Sequence, residues 1–73
     1  MIISKEAHLS RLTFLFQFYW ELLLDEKAQI ETDKELARIL KVGYDNRKTP
    51  EQELYEEKLV LITEQLYKLM GRQ

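Results

Sequence analysis

Residues 12–24, LTFLFQFYWELLL, decide how this chain folds. Ten of these thirteen residues are apolar, and they include five of the eight aromatic residues in the chain. The run has no turn-forming residue and is too long for an ordinary strand, which favours a buried helix. A chain of 73 residues has little other material with which to cover so much apolar surface. The stretch therefore predicts association, either with a second copy or with another protein.

The chain is predicted to be one all-α domain, residues 1–73, built from three helices in the order long, short, long. These helices are expected at about residues 4–28, 33–42 and 50–70, with the apolar first helix at the centre. Apolar residues recur along the first helix at spacings of three, four and seven, which is typical of a seam that packs against other helices. The seam consists of Leu9, Leu12, Phe16, Tyr19, Leu23 and Ile30.

Capping residues mark the predicted ends of the second and third helices. Thr32 is followed three residues later by Glu35, which is the capping-box pattern, and Gly43 provides a stop for the short helix. Thr49 and Pro50 form a strong start for the third helix, as N-cap and first helical residue. The third helix then carries an apolar stripe of Tyr55, Leu59, Ile62, Leu66 and Leu69.

The middle helix, at about 15 Å, covers only about half of the groove between the two long helices. The chain path leaves open whether those long helices run parallel or antiparallel. In both cases an apolar strip stays uncovered, and a symmetric dimer is the usual way to close one. The alternative is that the aromatic run is the ordinary core of a compact monomer. The residues expected at the interface are Leu9, Leu12, Phe16, Tyr19, Trp20, Leu23, Tyr67 and Met70.

One polar row interrupts the first helix, at Thr13, Gln17, Glu21 and Asp25. The simple interpretation is a stripe that faces solvent. The alternative is that Gln17 and Glu21 form a buried polar pair that fixes the register of a dimer, as single polar residues do in coiled coils.

The composition argues against several classes of function. The chain has no cysteine, so a disulfide and a thiolate zinc site lack their parts. Its one histidine, His8, lies in the first helix with no Ser-His-Asp set in prospect. Its two glycines do not form a phosphate-binding loop. We therefore expect no enzyme, no cofactor and no small-molecule substrate. The apolar run is too short and too polar to span a membrane, and the lack of cysteine fits the cytoplasm.

The segment from residue 38 to 48, RILKVGYDNRK, is locally basic, with four basic residues against one acidic residue in a chain of net charge −2. It is the basis of a second hypothesis, in which a dimer binds an anion or a nucleic acid. A solvated loop is the competing interpretation, because nucleic-acid-binding proteins usually have a larger basic excess. The contact residues would be Arg38, Lys41, Tyr44, Asn46, Arg47 and Lys48.

Residues 32–43, TDKELARILKVG, resemble the first helix of a helix-turn-helix motif, with Ala37 at the position of tight packing. The resemblance covers twelve residues and implies a DNA-reading helix directly after a short turn. This chain departs from that pattern. Lys41 stands where glycine is usual, the following loop is longer, and the next helix opens with several glutamates that would repel phosphates.

The sequence thus predicts a small helical protein–protein interaction module that docks an apolar helical face on a partner. Regulators, inhibitors and small accessory proteins share this pattern. The partner is expected to be a second copy, another protein or both. An enzyme is the third hypothesis and ranks last.

Overall fold

The computed structural model describes residues 4–71, and within that range it consists of two α-helices and the loop between them. Helix α1 spans Lys5–Leu40 and helix α2 spans Pro50–Leu69. No strand occurs in residues 4–71, so the prediction of an all-α chain is confirmed there. The prediction of three helices is wrong, because residues 33–42 do not form a separate helix and most of them complete α1.

Helix α1 is continuous because nothing in its sequence breaks it. The first glycine of the chain is Gly43 and its one proline is Pro50. Thr32 does not cap a new helix, and its hydroxyl instead donates to the carbonyl oxygen of Ala28 at 3.0 Å, one turn earlier. Neighbouring side chains also bridge successive turns, with Gln29 Nε2 donating to Asp33 Oδ1 at 3.0 Å. Each added helical residue gains a backbone hydrogen bond, whereas a second helix would need a new nucleus.

Helix α1 ends at Leu40 and its C-cap is Lys41, two residues before the glycine that the sequence pattern favoured. Lys41 has φ 59° and ψ 41°, a left-handed conformation that glycine normally supplies. Its N–H donates to the carbonyl oxygen of Arg38 at 3.2 Å, and the N–H of Val42 donates to that of Ala37 at 3.0 Å. These two bonds form a Schellman motif, which satisfies carbonyl groups that the helix end would leave free.

Helix α2 begins where the sequence predicts. Thr49 is its N-cap, with the hydroxyl accepting from the N–H of Gln52 at 3.1 Å, and Pro50 is the first helical residue. The Thr49 hydroxyl also donates to Glu26 Oε1 on α1 at 3.2 Å, so the cap fixes the start of α2 against the first helix. Gly71, just after the end of α2, has φ +73°.

The two helices form an antiparallel hairpin. Thr49 lies beside Glu26, and the ring of Tyr55, further along α2, lies 6.4 Å from that of Tyr19, further back along α1. Helix α2 therefore packs along the first part of α1, up to about Glu26. Residues 27–40 extend beyond the start of α2, and we call this segment the arm. The loop 41–49 returns along the arm.

Both predicted seams form the contact between the helices. Every residue of the α1 seam and of the α2 stripe is buried or half-buried. Two helices provide a thin core, however, and no side chain within residues 4–71 is fully enclosed. The buried apolar residues of the described range are Leu12, Leu23, Ala37, Leu59 and Ile62.

Candidate interaction surfaces

Large apolar side chains flank the seam on both sides of the hairpin. Successive residues lie about 100° apart around a helix, so the residue after a seam position points to one side and the residue before it to the other. Because α1 and α2 are antiparallel, the residues that follow seam positions in both helices lie on the same side. The hairpin therefore has two outer faces, each contributed by both helices.

The first outer face, which we call the Trp20 face, extends along the hairpin body. The Trp20 ring stacks on the half-buried Phe16 ring, with centroids 6.3 Å apart and planes 10° apart. Phe16 belongs to the seam, and its ring holds Trp20 in position while Trp20 remains 46% exposed. Stacked, half-exposed aromatic rings of this kind are typical of protein interfaces. The exposed apolar residues of this face are Trp20, Leu24, Val60, Tyr67 and Met70.

The second outer face, which we call the Phe18 face, lies on the opposite side. The Phe18 ring meets Tyr19 edge-on at a centroid distance of 5.3 Å, and it is 46% exposed. Lys58 lies among these apolar residues and is half-buried. No carboxylate of residues 4–71 lies within 4.0 Å of its ammonium group. The apolar residues of this face are Leu15, Phe18, Leu22, Leu54 and Leu61.

The predicted interface residues fall into two groups. Leu12 and Leu23 are buried between α1 and α2, and Leu9, Phe16 and Tyr19 are half-buried in the same seam. In the single chain α2 already packs on Leu12, so this residue belongs to the contact between the helices. The other three, Trp20, Tyr67 and Met70, are exposed and share the Trp20 face. Their role in association stays a prediction.

The polar row of α1 lies away from the seam. Gln17 and Glu21 are both exposed, as are Thr13 and Asp25. Within the single chain the row is a solvated stripe and not a buried polar pair. The apolar surfaces that a partner could contact are therefore formed by the residues on either side of the seam.

The predicted basic segment is largely neutralised by its own neighbours. Arg47 Nη2 lies 2.7 Å from Asp45 Oδ2, and Arg38 pairs with Glu35 one turn earlier on α1. The Arg47 guanidinium holds the pKa of the Asp45 carboxyl below its usual value by donating hydrogen bonds to it. The Arg38 guanidinium lowers the pKa of Glu35 in the same way.

Lys48 is also engaged, with its ammonium 2.7 Å from Glu56 Oε1 on α2. That hydrogen bond lowers the pKa of the Glu56 carboxyl, and the nearby charge of Lys27 lowers it further. Three of the four cations predicted to contact an anion are therefore paired with carboxylates. Ion pairs at the surface are weak, yet a ligand phosphate would have to compete with each of them.

The loop and the arm enclose an open cleft of about 420 Å³. Four predicted contact residues line it, Tyr44, Asn46, Arg47 and Lys48, whereas Arg38 and Lys41 lie outside. Two lysines of α1 that the sequence analysis did not select also line it. Their only signal in the sequence was a spacing of seven, which places Lys27 and Lys34 on one side of α1. The Lys34 ammonium lies 5.9 Å from the Tyr44 ring centroid and 3.7 Å from Glu31 Oε1.

The resemblance to a helix-turn-helix motif does not extend to the structure. Residues 32–40 are the end of a 36-residue helix, and a loop of nine residues, 41–49, separates them from α2. The loop returns along the arm, so α2 packs on the beginning of α1 and not on residues 32–43.

Two further features bear on function. Within residues 4–71, no three or more His, Cys, Asp or Glu side chains are grouped so that they could hold a metal ion. Neither α1 nor α2 contains an apolar stretch long enough to cross a lipid bilayer.

Comparison of the chain with protein-family models, with curated proteins and with solved structures finds no match.

Proposed function

We propose that this chain is a protein–protein interaction module that acts by occupying a helical surface of a partner. One observation carries the proposal: the Trp20 face exposes apolar side chains from both helices along the body of the hairpin. A groove between two antiparallel helices, lined in this way, suits the apolar side of a partner helix. Such binding would block or bridge the partner, as regulators, inhibitors and accessory proteins do, and it requires no catalysis and no cofactor.

Trp20 is the residue that we expect to contribute most to this binding. Its indole is large and rigid, and it is already positioned by stacking on Phe16. Tryptophan in such a setting is frequently an interface hot spot, with losses of about 2 kcal/mol or more on truncation. Tyr67 and Met70 extend the same face toward the end of α2. The absence of cysteine is consistent with the cytoplasm, which we propose as the location.

Nucleic-acid binding is the weaker alternative. Its support is the cleft beside the arm, which adds Lys27 and Lys34 to the predicted basic segment. Against it stand the carboxylates that pair with Arg47 and Lys48, since they reduce the net positive charge that phosphates would encounter.

The test is capture of a partner from the cells that make this protein, using the full chain as bait. Trp20→Glu should abolish capture, because it replaces the largest side chain of the apolar face with a charge. The matched control is Arg47→Glu combined with Lys48→Glu, which reverses two charges and should leave capture nearly unchanged. The opposite result, with binding that falls steeply as salt is raised, would refute the proposal in favour of nucleic acid.

A further inference from the structure

An apolar stripe runs along α1 from the hairpin body into the arm. In the body it consists of Leu15, Phe18 and Leu22, which belong to the Phe18 face. It resumes in the arm at Leu36 and Leu40, which are 54% and 61% exposed. The spacing from Leu22 to Leu36 is two heptads, so these residues lie on nearly the same side of the helix.

The middle of the stripe is polar, and its two ends are apolar. Asp25 and Gln29 occupy the positions between the two apolar ends, and both are exposed. A stripe with this pattern is complementary to itself when a second α1 is placed against it in the opposite direction. The arm of each copy then lies on the body of the other, and the polar residues of the two copies meet at the centre.

The continuity of α1 prevents the arm from covering the Phe18 face of its own chain. The sequence pattern expects residues 33–42 to fold back as a short helix over the groove between the long helices. In the structure these residues lie mainly in the arm and extend away from that groove. The apolar side chains of the arm can therefore cover such a groove only on another molecule, which is the geometry of a reciprocal exchange between two copies.

The exposed area matches what a stable dimer needs. The chain exposes 6208 Å², whereas the scaling for compact monomers of 8.8 kDa gives about 4,800 Å². The radius of gyration is 17.1 Å, against about 11 Å for a compact domain of 73 residues. The excess is about 1,400 Å² per copy, so about 2,800 Å² for two copies is the upper bound on what a dimer could bury. The Trp20 face stays free and accounts for part of it, and a specific dimer needs only about 1,200–2,000 Å².

Charge on the two surfaces is also complementary. Lys58 is half-buried on the Phe18 face, with no carboxylate of the described residues in contact. Asp33 lies on the arm close to the line of Leu36 and Leu40, and within residues 4–71 it forms no ion pair. An arm placed on the body of another copy brings this carboxylate toward that lysine.

We propose that the Phe18 face is covered by the arm of a second copy, in a two-fold symmetric dimer whose two α1 helices run antiparallel. Each copy contributes an arm and receives one. This inference does not depend on the proposed function, which uses the Trp20 face on the opposite side of the hairpin.

The first test measures the solution mass of the full chain across concentration, comparing two variants whose parent residues are both 46% exposed. Phe18→Glu should raise the dissociation constant of the dimer by about 100-fold or more, because the symmetric interface loses the Phe18 ring of both copies. Trp20→Glu should leave the dimer intact. A native chain that is monomeric at high micromolar concentration, or a dimer that Trp20→Glu dissociates as strongly, overturns the proposal.

A second variant excludes simple loss of folding. Leu36→Glu lies on the arm, outside the contact between α1 and α2, so it should retain the native helix content and still abolish the dimer. A dimer unaffected by this change means that the arm is not in the interface. In the same assay, Lys58→Glu should weaken the dimer, and adding Asp33→Lys to that variant should restore it. If the double variant stays as weak as Lys58→Glu alone, Lys58 and Asp33 are not in contact.

The direction of the helices is tested by one distance. The chain has no cysteine, so Arg38→Cys gives a single site for a spin label. If the two α1 helices are antiparallel and cross near residue 27, the labels lie about 33 Å apart along the dimer. A separation under about 20 Å would show parallel arms and refute the reciprocal exchange.

Discussion

The continuity of α1 through Thr32 can be tested by the variant Thr32→Ala. One continuous helix and two separate helices predict changes of opposite sign in its free energy of unfolding. If Thr32 capped a separate second helix, Thr32→Ala would cost about 1 kcal/mol of the free energy of unfolding. In the structure Thr32 is exposed in the interior of α1, where threonine is less favourable than alanine by about 0.6 kcal/mol. Its hydroxyl bonds only to the backbone oxygen of Ala28, at a site where water can replace it.

We therefore expect Thr32→Ala to raise the free energy of unfolding by about 0.3–0.5 kcal/mol, which raises Tm by about 2 °C in a chain of this size. Thr49→Ala is the matched control, because Thr49 is a true cap that also contacts Glu26. That change should lower the free energy of unfolding by about 1–2 kcal/mol.

The assay is urea and thermal unfolding followed by circular dichroism, at one protein concentration so that self-association contributes equally to all variants. A loss of about 1 kcal/mol in Thr32→Ala, comparable to that in Thr49→Ala, would refute the continuous helix. A higher free energy of unfolding in Thr32→Ala, together with a lower one in Thr49→Ala, would support the continuous helix.

Three further predictions concern the helix end, the seam and the loop. Lys41→Gly should raise the free energy of unfolding by about 0.5 kcal/mol, since relief of the left-handed strain exceeds the added flexibility of the unfolded chain; urea unfolding of this variant measures it, and a loss would contradict the cap geometry. Leu23 is 4% exposed and its neighbour Leu24 is 47% exposed. Urea unfolding should show that Leu23→Ala lowers the free energy of unfolding by about 2–4 kcal/mol and that Leu24→Ala lowers it by under about 0.5 kcal/mol. The lowered pKa of Glu56 means that its ion pair with Lys48 stabilises the fold above about pH 4.3 and is lost as the pH falls below that value. Lys48→Met should therefore lose less stability than the native chain between pH 7 and pH 3 in urea titrations, and an equal loss would argue against the pair.

The features of the fold that follow from periodicity were predictable from the sequence. The seam residues of α1 and α2 share a face of each helix whatever the rest of the chain does, so their spacing was sufficient to identify them. The start of α2 was predictable for a local reason, because Thr49 and Pro50 satisfy the requirements of a helix N-terminus without tertiary contacts.

The continuity of α1 was not predicted, because the pattern of Thr32 and Glu35 is compatible with two structures. A capping box requires Thr32 to adopt an extended conformation, and only tertiary contacts or a helix breaker would favour that over the next helical turn. The informative signal was the absence of glycine and proline before Gly43. That absence favours propagation of a helix that already exists.

The candidate surfaces required knowledge of the chain path. Periodicity alone cannot tell whether Trp20 lies on the same side as Tyr67, because that depends on the antiparallel direction of α2. Lys27 and Lys34 join the basic loop only because the loop returns along the arm. The apolar excess was evident in the composition, but the structure was needed to divide it between the seam and the two outer faces.

The antiparallel register has a practical consequence for protein engineering. Glu26 lies level with Thr49, so Ser4 and Gly71 lie near each other at the end of the hairpin opposite the arm. This arrangement suits insertion of residues 4–71 as a unit into an exposed loop of a host protein. In such a chimera the arm and both apolar faces would project from the host as a removable docking element.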